Sequence, residues 1–401
     1  MTFRTIACAC LAVAITALPL SADDWPQFRG PNRDGHSAET GINKNWNDKQ
    51  PREMWRANLS DNGFAGPSVA NGKVFIIDHQ GNEDVVRALN LETGKQQWEF
   101  RYAETARHNY GYARATPTVD EGNVYTASFS GQLHCLKEAD GSVVWSRNIV
   151  KDFKGKLPTW MHAASPVVDG DKLIVPPGGP NAFLAALNKA NGETIWQGGG
   201  SDGASYSTPA IATIGGRKQY VLGAAKSFLG IDAADGKVLW SYPWVTRYDV
   251  NAATPLVIND HVFFTSGYNH GCILVKIGPK GAEKVWENKE MPSHFSSPLL
   301  AGRYIYGTGD PGFLMCIDPQ TGKTTWKEKG FEKGGIIAID GTIIALDGAR
   351  GDVVMVKLAP ESYQELGRFK PLGGRSWTPP IVANGKLIIR NNKTIACYDL
   401  K

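Results

Sequence analysis

The sequence predicts an all-β chain, an eight-bladed β-propeller of four-stranded antiparallel blades closed by a strand from near the N-terminus. Three observations predict it. A phrase ending in tryptophan recurs along the 401 residues, a second phrase built around a small residue and proline precedes each copy, and the last repeat stops one strand short.

The tryptophan phrase reads ALNLETGKQQW (88–98), CLKEADGSVVW (135–145), ALNKANGETIW (186–196), GIDAADGKVLW (230–240) and CIDPQTGKTTW (316–326), with Gly and Trp at fixed offsets. A further copy, VKIGPKGAEKVW (275–286), holds one extra residue before its Trp. Another, around Val356 to Phe369, has lost both the Gly and the Trp, and the last ends early at CYDLK.

The second phrase appears as GPSVANGKVFII, ATPTVDEGNVYTA, ASPVVDGDKLIV, ATPLVINDHVFFT, SSPLLAGRYIYG and WTPPIVANGKLII, with STPAIATIGGRKQYVLG and GGIIAIDGTIIALDG completing the set. Each unit therefore holds four short runs rich in Val, Ile, Tyr and Phe, divided by Asn-Gly, Asp-Gly or Thr-Gly, which are hairpin turns. Four antiparallel strands at a period of roughly 40–51 residues describe one propeller blade. The last unit lacks its outer strand, while REMWRANL near the start has a strand-like run with an orphan Trp55. Supplying that strand from the N-terminus closes the ring and removes an open edge.

The ends and the charge bound the rest. Residues 1–22 carry Arg4, an apolar run to Leu18 and a small residue at Ala22, the pattern of a cleaved export signal. The apolar run is too short for a membrane span, so the mature chain is expected to be exported, periplasmic or otherwise extracytoplasmic, with no transmembrane span, and to act as a monomer. Residues 23–52 read as an ordered strap and 53–401 as the propeller. With 43 basic against 39 acidic residues and no basic run, the chain has no nucleic-acid footprint.

The phrase A-x-[ND]-x-x-[TD]-G-x-x-x-W resembles the tryptophan-docking motif of the quinoprotein (PQQ-type) eight-bladed propellers, which include PQQ-dependent alcohol dehydrogenases and BamB-type outer-membrane assembly lipoproteins. The strap DWPQFRGPNRDGHSAETGI (24–42) is similar to the N-terminal signature of exported PQQ-like repeat proteins of planctomycete-type bacteria. The resemblance implies that Trp98, Trp145, Trp196, Trp240, Trp286 and Trp326 dock each blade on the Gly turn of its neighbour. Cys135, Cys316 and Cys397 sit at or next to the first position of the repeat in non-adjacent blades, so free buried thiols are expected there. The strap reads as a clasp packing Trp25 and Phe28 across the disc, with Arg29 and Asp34 satisfying buried polar groups.

Function is expected on the face that carries the blade-to-blade links and the second-to-third-strand turns, because these vary between repeats. The links place Phe64, Arg114, His162, Tyr206, Asn251, His294, Phe295, Arg375 and Trp377 ahead of the innermost strands, and the turns add His79, the PPGGPN loop (176–181), Tyr268 to His270, and Asp310. Rings, guanidiniums, imidazoles and amides converging on a channel mouth suit a planar or anionic ligand, or they fill the mouth and bond one another. Two functions stand open. One is a ligand-, protein- or peptide-binding scaffold of BamB type. The other, implied by the resemblance, is a PQQ-dependent dehydrogenase of an alcohol or sugar, in which Arg114 and Arg375 would pair the quinone carboxylates and Asp249, Asn251, Asp202 and Asp310 would have to supply a calcium cradle. The first is the preferred reading, because no complete carboxylate cradle and no adjacent cysteine pair is evident. No HExxH, CxxC, GxSxG or Walker loop appears, and only His108, His162 and His294 are candidates to meet across the funnel on a metal.

Overall fold

A computed structural model describes residues 24–60 and 62–401. The expected export signal, residues 1–22, lies outside the described residues. Eight small antiparallel sheets form the blades. In the first blade the strands are Ser68–Ala70, Lys73–Gln80, Glu83–Asn90 and Gln96–Ala103, ordered from channel to rim. The two middle strands are covered on both faces by neighbouring blades, so Val74, Phe75, Ile76, Ile77, Val85 and Val86 are all buried and read as continuous apolar runs. The rim strand alternates instead, with Trp98 and Tyr102 inward and Gln97, Glu99 and Arg101 in solvent. Asn71 and Gly72, at φ 50° and 72°, make the primed hairpin turn that the Asn-Gly pair predicts.

The last blade is completed from the N-terminus. Arg52–Asn58 runs antiparallel to Thr394–Asp399, with Trp55 opposite Cys397. Trp55 then docks on the first blade: its indole N–H donates to the Leu91 carbonyl at 2.7 Å, and its ring lies where a Cβ on Gly94 would come within 2.6 Å. Trp98, Trp145 and Trp286 repeat this bond to the carbonyls of Glu138, Lys189 and Pro319 and cover Gly141, Gly192 and Gly322. Trp326 keeps the bond, to Ala359, although its neighbour has lost the Gly. Trp196 covers Gly236, but its N–H is buried without a partner.

Trp240 departs from the docking expected of it. Its indole N–H donates to the Gln219 side chain of its own blade at 2.6 Å, and its ring lies over Gly230, also of its own blade. The cause lies in the neighbour, whose strands Gly271–Gly278 and Gly281–Asn288 are joined by a two-residue hairpin in place of the usual docking turn. That is the copy with the extra residue, and Gly281 has nothing within 4 Å of its Cβ position.

At the channel, hydroxyl residues ahead of the strand prolines tie blade to blade. Ser165 Oγ accepts from the Thr116 N–H at 2.9 Å, Thr208 Oγ1 from the Ser165 N–H at 3.0 Å and Ser297 Oγ from the Thr254 N–H at 2.9 Å. Cys135, Cys272, Cys316 and Cys397 are buried and unpaired, and burial pushes the thiols up, to about 11 for Cys135.

The strap enters from the face opposite the links. The Asp24 carboxylate accepts from the Asn71 N–H and the Asn384 amide, in turns of the first and last blades, and Trp25 bridges to Val69. His36–Ser37 then pairs in parallel with the innermost strand of the seventh blade, Ile336–Ile339, which thereby has five strands in place of the expected four. Between these anchors Arg29 is buried, donating to the carbonyls of Arg33, Asp34 and Pro298 at 3.1, 2.9 and 2.8 Å. Loss of solvent lowers the Arg29 pKa to about 10. Trp25 is buried as the clasp reading expects, but Phe28 turns up into the channel.

Candidate functional site

The links approach the channel as extended chain, so successive side chains alternate in direction. One position per blade points inward: the residue three before the strand-opening proline, or three before Ile336 in the blade without one. All eight of these residues line a single cavity of about 230 Å³. They are the aromatic Phe64, Tyr206, Phe295 and Trp377, the cationic Arg114 and Lys333, and the small Ala163 and Ala252. Tyr110, Trp160, Tyr268 and His294 add a wall above the ring, and Phe28 of the strap lies at its base with Ser165, Thr208 and Pro379.

The rings brace one another. Trp377 stacks on Phe64 at 5.0 Å, and Phe295 lies 5.4 Å from it. Trp377 also carries two cations, the Arg375 guanidinium at 4.5 Å and Lys333 Nζ at 5.3 Å. Trp160 stacks on Tyr268 at 6.3 Å, and its backbone N–H donates to the Tyr206 hydroxyl, whose pKa burial pushes up to about 12. Arg114 donates to the Tyr112 carbonyl at 2.5 Å and lies over Phe129. His294 is held neutral, its pKa lowered to about 4 mainly by burial and further by Lys333, against the pull of Asp310.

Of the residues expected here, Phe64, Arg114, Tyr206, Tyr268, His294, Phe295 and Trp377 line the cavity, whereas Asn251, His162, His79, His270 and Arg375 do not. Asn251 is fully buried and its amide is consumed by the fold, donating to the Ala224 and Trp244 carbonyls and accepting from the Ser266 hydroxyl. His162 turns into the protein, with neither ring nitrogen bonded and its pKa lowered to about 4 by burial. His79 is locked between Asp84, at 2.8 Å, and the Gly81 carbonyl, and stacks on Tyr112. His270 packs against the Trp244 face at 4.3 Å. Arg375 lies exposed behind Trp377 and touches the site only through that ring.

These placements decide which cofactor the residues fit. Calcium requires six to eight oxygen ligands, yet among the described residues no Asp or Glu lines the cavity. Asn251 is spent, and the Asp202 carboxylate accepts from Gly203, Lys226 and the Ser227 hydroxyl. Among the described residues no three His, Cys, Asp or Glu side chains are grouped to hold a metal, so His108, His162 and His294 do not meet. The calcium cradle of a quinoprotein dehydrogenase does not fit this site. The stacked rings suit a flat ligand.

The repeat, the ring and the site have relatives. A family model described as outer membrane protein assembly factor BamB matches residues 44–115 and 82–328. The chain belongs to the BamB family. Outer membrane protein assembly factor BamB of Yersinia pestis is 21% identical over 318 residues, 73% of this chain and 74% of the relative. Among solved structures, BamB of Moraxella catarrhalis superposes with a TM-score of 0.61 at 17% identity, covering 87% of this chain and 97% of that one. A europium-containing methanol dehydrogenase reaches 0.63 at 12% identity, covering 92% and 90%, which shows the shared propeller fold.

Within this BamB-family propeller, the residues that the motif search passes over are Tyr110, Trp160, Lys333, Ala163, Ala252 and Phe28. Counting back three from each strand proline finds both alanines and, through Ile336, the lysine. Phe28 carries no repeat signal and is located only by the path of the strap.

Proposed function

We propose that this chain is a non-catalytic binding module of BamB type, that it works outside the cytoplasm, and that the channel mouth is its binding surface. One observation carries the reading. The eight positions that point into the mouth are rings, cations and alanines, with no carboxylate among them, so the site offers contact area and charge and lacks an acid–base pair or a metal cradle. The export-type N-terminus supports the location, as does the name of the family, whose members are called outer membrane assembly factors. Among the described residues no helix is long and apolar enough to cross a membrane.

The test is reconstitution of purified chain with PQQ and calcium, followed by reduction of an artificial electron acceptor in the presence of alcohols and sugars. Dye reduction is expected to stay at the protein-free rate. Reduction saturating at one PQQ per chain would overturn the non-catalytic reading.

A further inference from the structure

Resting on the mouth as the binding surface, we infer that the pocket takes an uncharged saccharide, stacked on a wall of three rings that the chain holds on strained backbone. The rings are Trp160, from the link into the third blade, Tyr248, from the link into the fifth, and Tyr268, from a turn of the fifth. Trp160 and Tyr268 lie nearly parallel, 18° apart with centroids at 6.3 Å, and Tyr248 stands across them at 86° and 69°, 5.4 and 5.6 Å away. Tyr248 and Asp249 have φ 63° and 56°, Tyr268 and Asn269 57° and 59°, and Met161, next to Trp160, 67°. In the hairpin turns of the opposite face such angles fall to residues that tolerate them, as at Asn71, Asn259, Asp340 and Asn384. A tyrosine there is an outlier, and backbone strain of this kind gathers at ligand-binding sites. Burial does not reward it, since Tyr248 is 45% exposed.

Charge decides what the rings receive. Three residues of the pocket wall each meet both signs: His294 is acted on by Asp310 and Lys333, Tyr268 by Asp310 and Arg247, and Tyr206 by Asp249 and Arg114. A ligand anion therefore loses at Asp310 what it gains at Lys333, and a ligand cation the reverse. An uncharged body whose edge both donates and accepts hydrogen bonds uses the two signs at once. A pyranose has that form. Its hydroxyls stand round the edge, and its face of weakly positive C–H groups settles on the negative face of an aromatic ring.

The experiment is calorimetric titration of purified chain with tetrasaccharides: uncharged cellotetraose and the N-acetylglucosamine tetramer, the cationic glucosamine tetramer and the anionic galacturonate tetramer. At least one uncharged tetramer is expected to bind about tenfold tighter than either charged one. Tyr248→Asn, which suits the left-handed backbone, weakens that tetramer about tenfold while the thermal midpoint holds or rises, and Tyr248→Phe keeps it bound. Asp310→Asn leaves Lys333 unopposed at His294 and tightens the galacturonate tetramer severalfold, and Lys333→Gln does the same for the glucosamine tetramer. A charged tetramer preferred by wild type, or no binding of either uncharged tetramer up to about 10 mM, overturns the inference while the mouth stays open to a protein or peptide partner. So does a Tyr248→Asn chain that binds as wild type or melts well below it. Saccharide binding that Trp160→Ala and Trp377→Ala both leave intact overturns the binding surface itself.

Discussion

Trp55→Ala is expected to destabilise the chain by about 3–5 kcal/mol, the usual range for deleting a buried tryptophan, and to loosen the ring at its seam. Trp55 is 7% exposed, bonds the Leu91 carbonyl of the first blade, and fills the space over Gly94. It is the one docking tryptophan on the strand that closes the ring, since Arg52–Asn58 supplies the outer edge of the final blade from the other end of the chain. Urea unfolding measures the loss of stability. Limited proteolysis reads its place, with cleavage within 52–58 expected in Trp55→Ala and absent in Trp240→Ala, whose ring lies between the fourth and fifth blades, away from the seam. Gly94→Val should be as damaging, because it adds a clash at 2.6 Å to a residue held at φ 67°. A loss under about 1 kcal/mol with the segment still protected would mean that the seam is held elsewhere.

Acid should weaken the fold well before the carboxylates titrate. His134 and His162 are 6% and 3% exposed, and burial lowers each pKa to about 4. In the unfolded chain a histidine titrates near 6.5. A base whose folded pKa is depressed contributes its full stability above the unfolded value. As pH falls from 6.5 towards 4 the unfolded state takes up protons that the folded state refuses, and the contribution is lost. At pH 4.5 the cost is about 2–3 kcal/mol per histidine. Urea midpoints at pH 7.5 and 4.5 measure this, and His162→Leu and His134→Leu should each flatten the dependence. A pH dependence unaltered in both variants would refute the assignment.

The ring of blades was legible because its signal is local: Gly and Trp recur at one spacing, and the orphan Trp55 marks the missing strand. The exception at Trp240 was visible as one inserted residue, though its consequence was not, since it depends on how the neighbouring hairpin folds. The mouth was half legible. The right links were found, but side chains in them were chosen for chemistry when direction decides. His162 and Asn251 each lie one step out of phase with Ala163 and Ala252, and an extended chain sends neighbours to opposite sides. The chemically eloquent residue is therefore buried between blades, and the silent alanine lines the site. Phe28 lies beyond any periodic argument, because the strap belongs to no repeat.

The central claim, that the mouth is the binding surface, is tested most directly by photocrosslinking in the producing cell. A photoreactive phenylalanine analogue replaces Tyr110 or Val245 on the link face, 43% and 62% exposed, or Asn191 or Thr321 in turns of the opposite face. Intact mass and gel shift after illumination read the adducts. Adducts from the link-face positions that disappear when Trp377→Ala is added are the result expected. Adducts that form equally from Asn191 and Thr321, or that persist in Trp377→Ala, would contradict it.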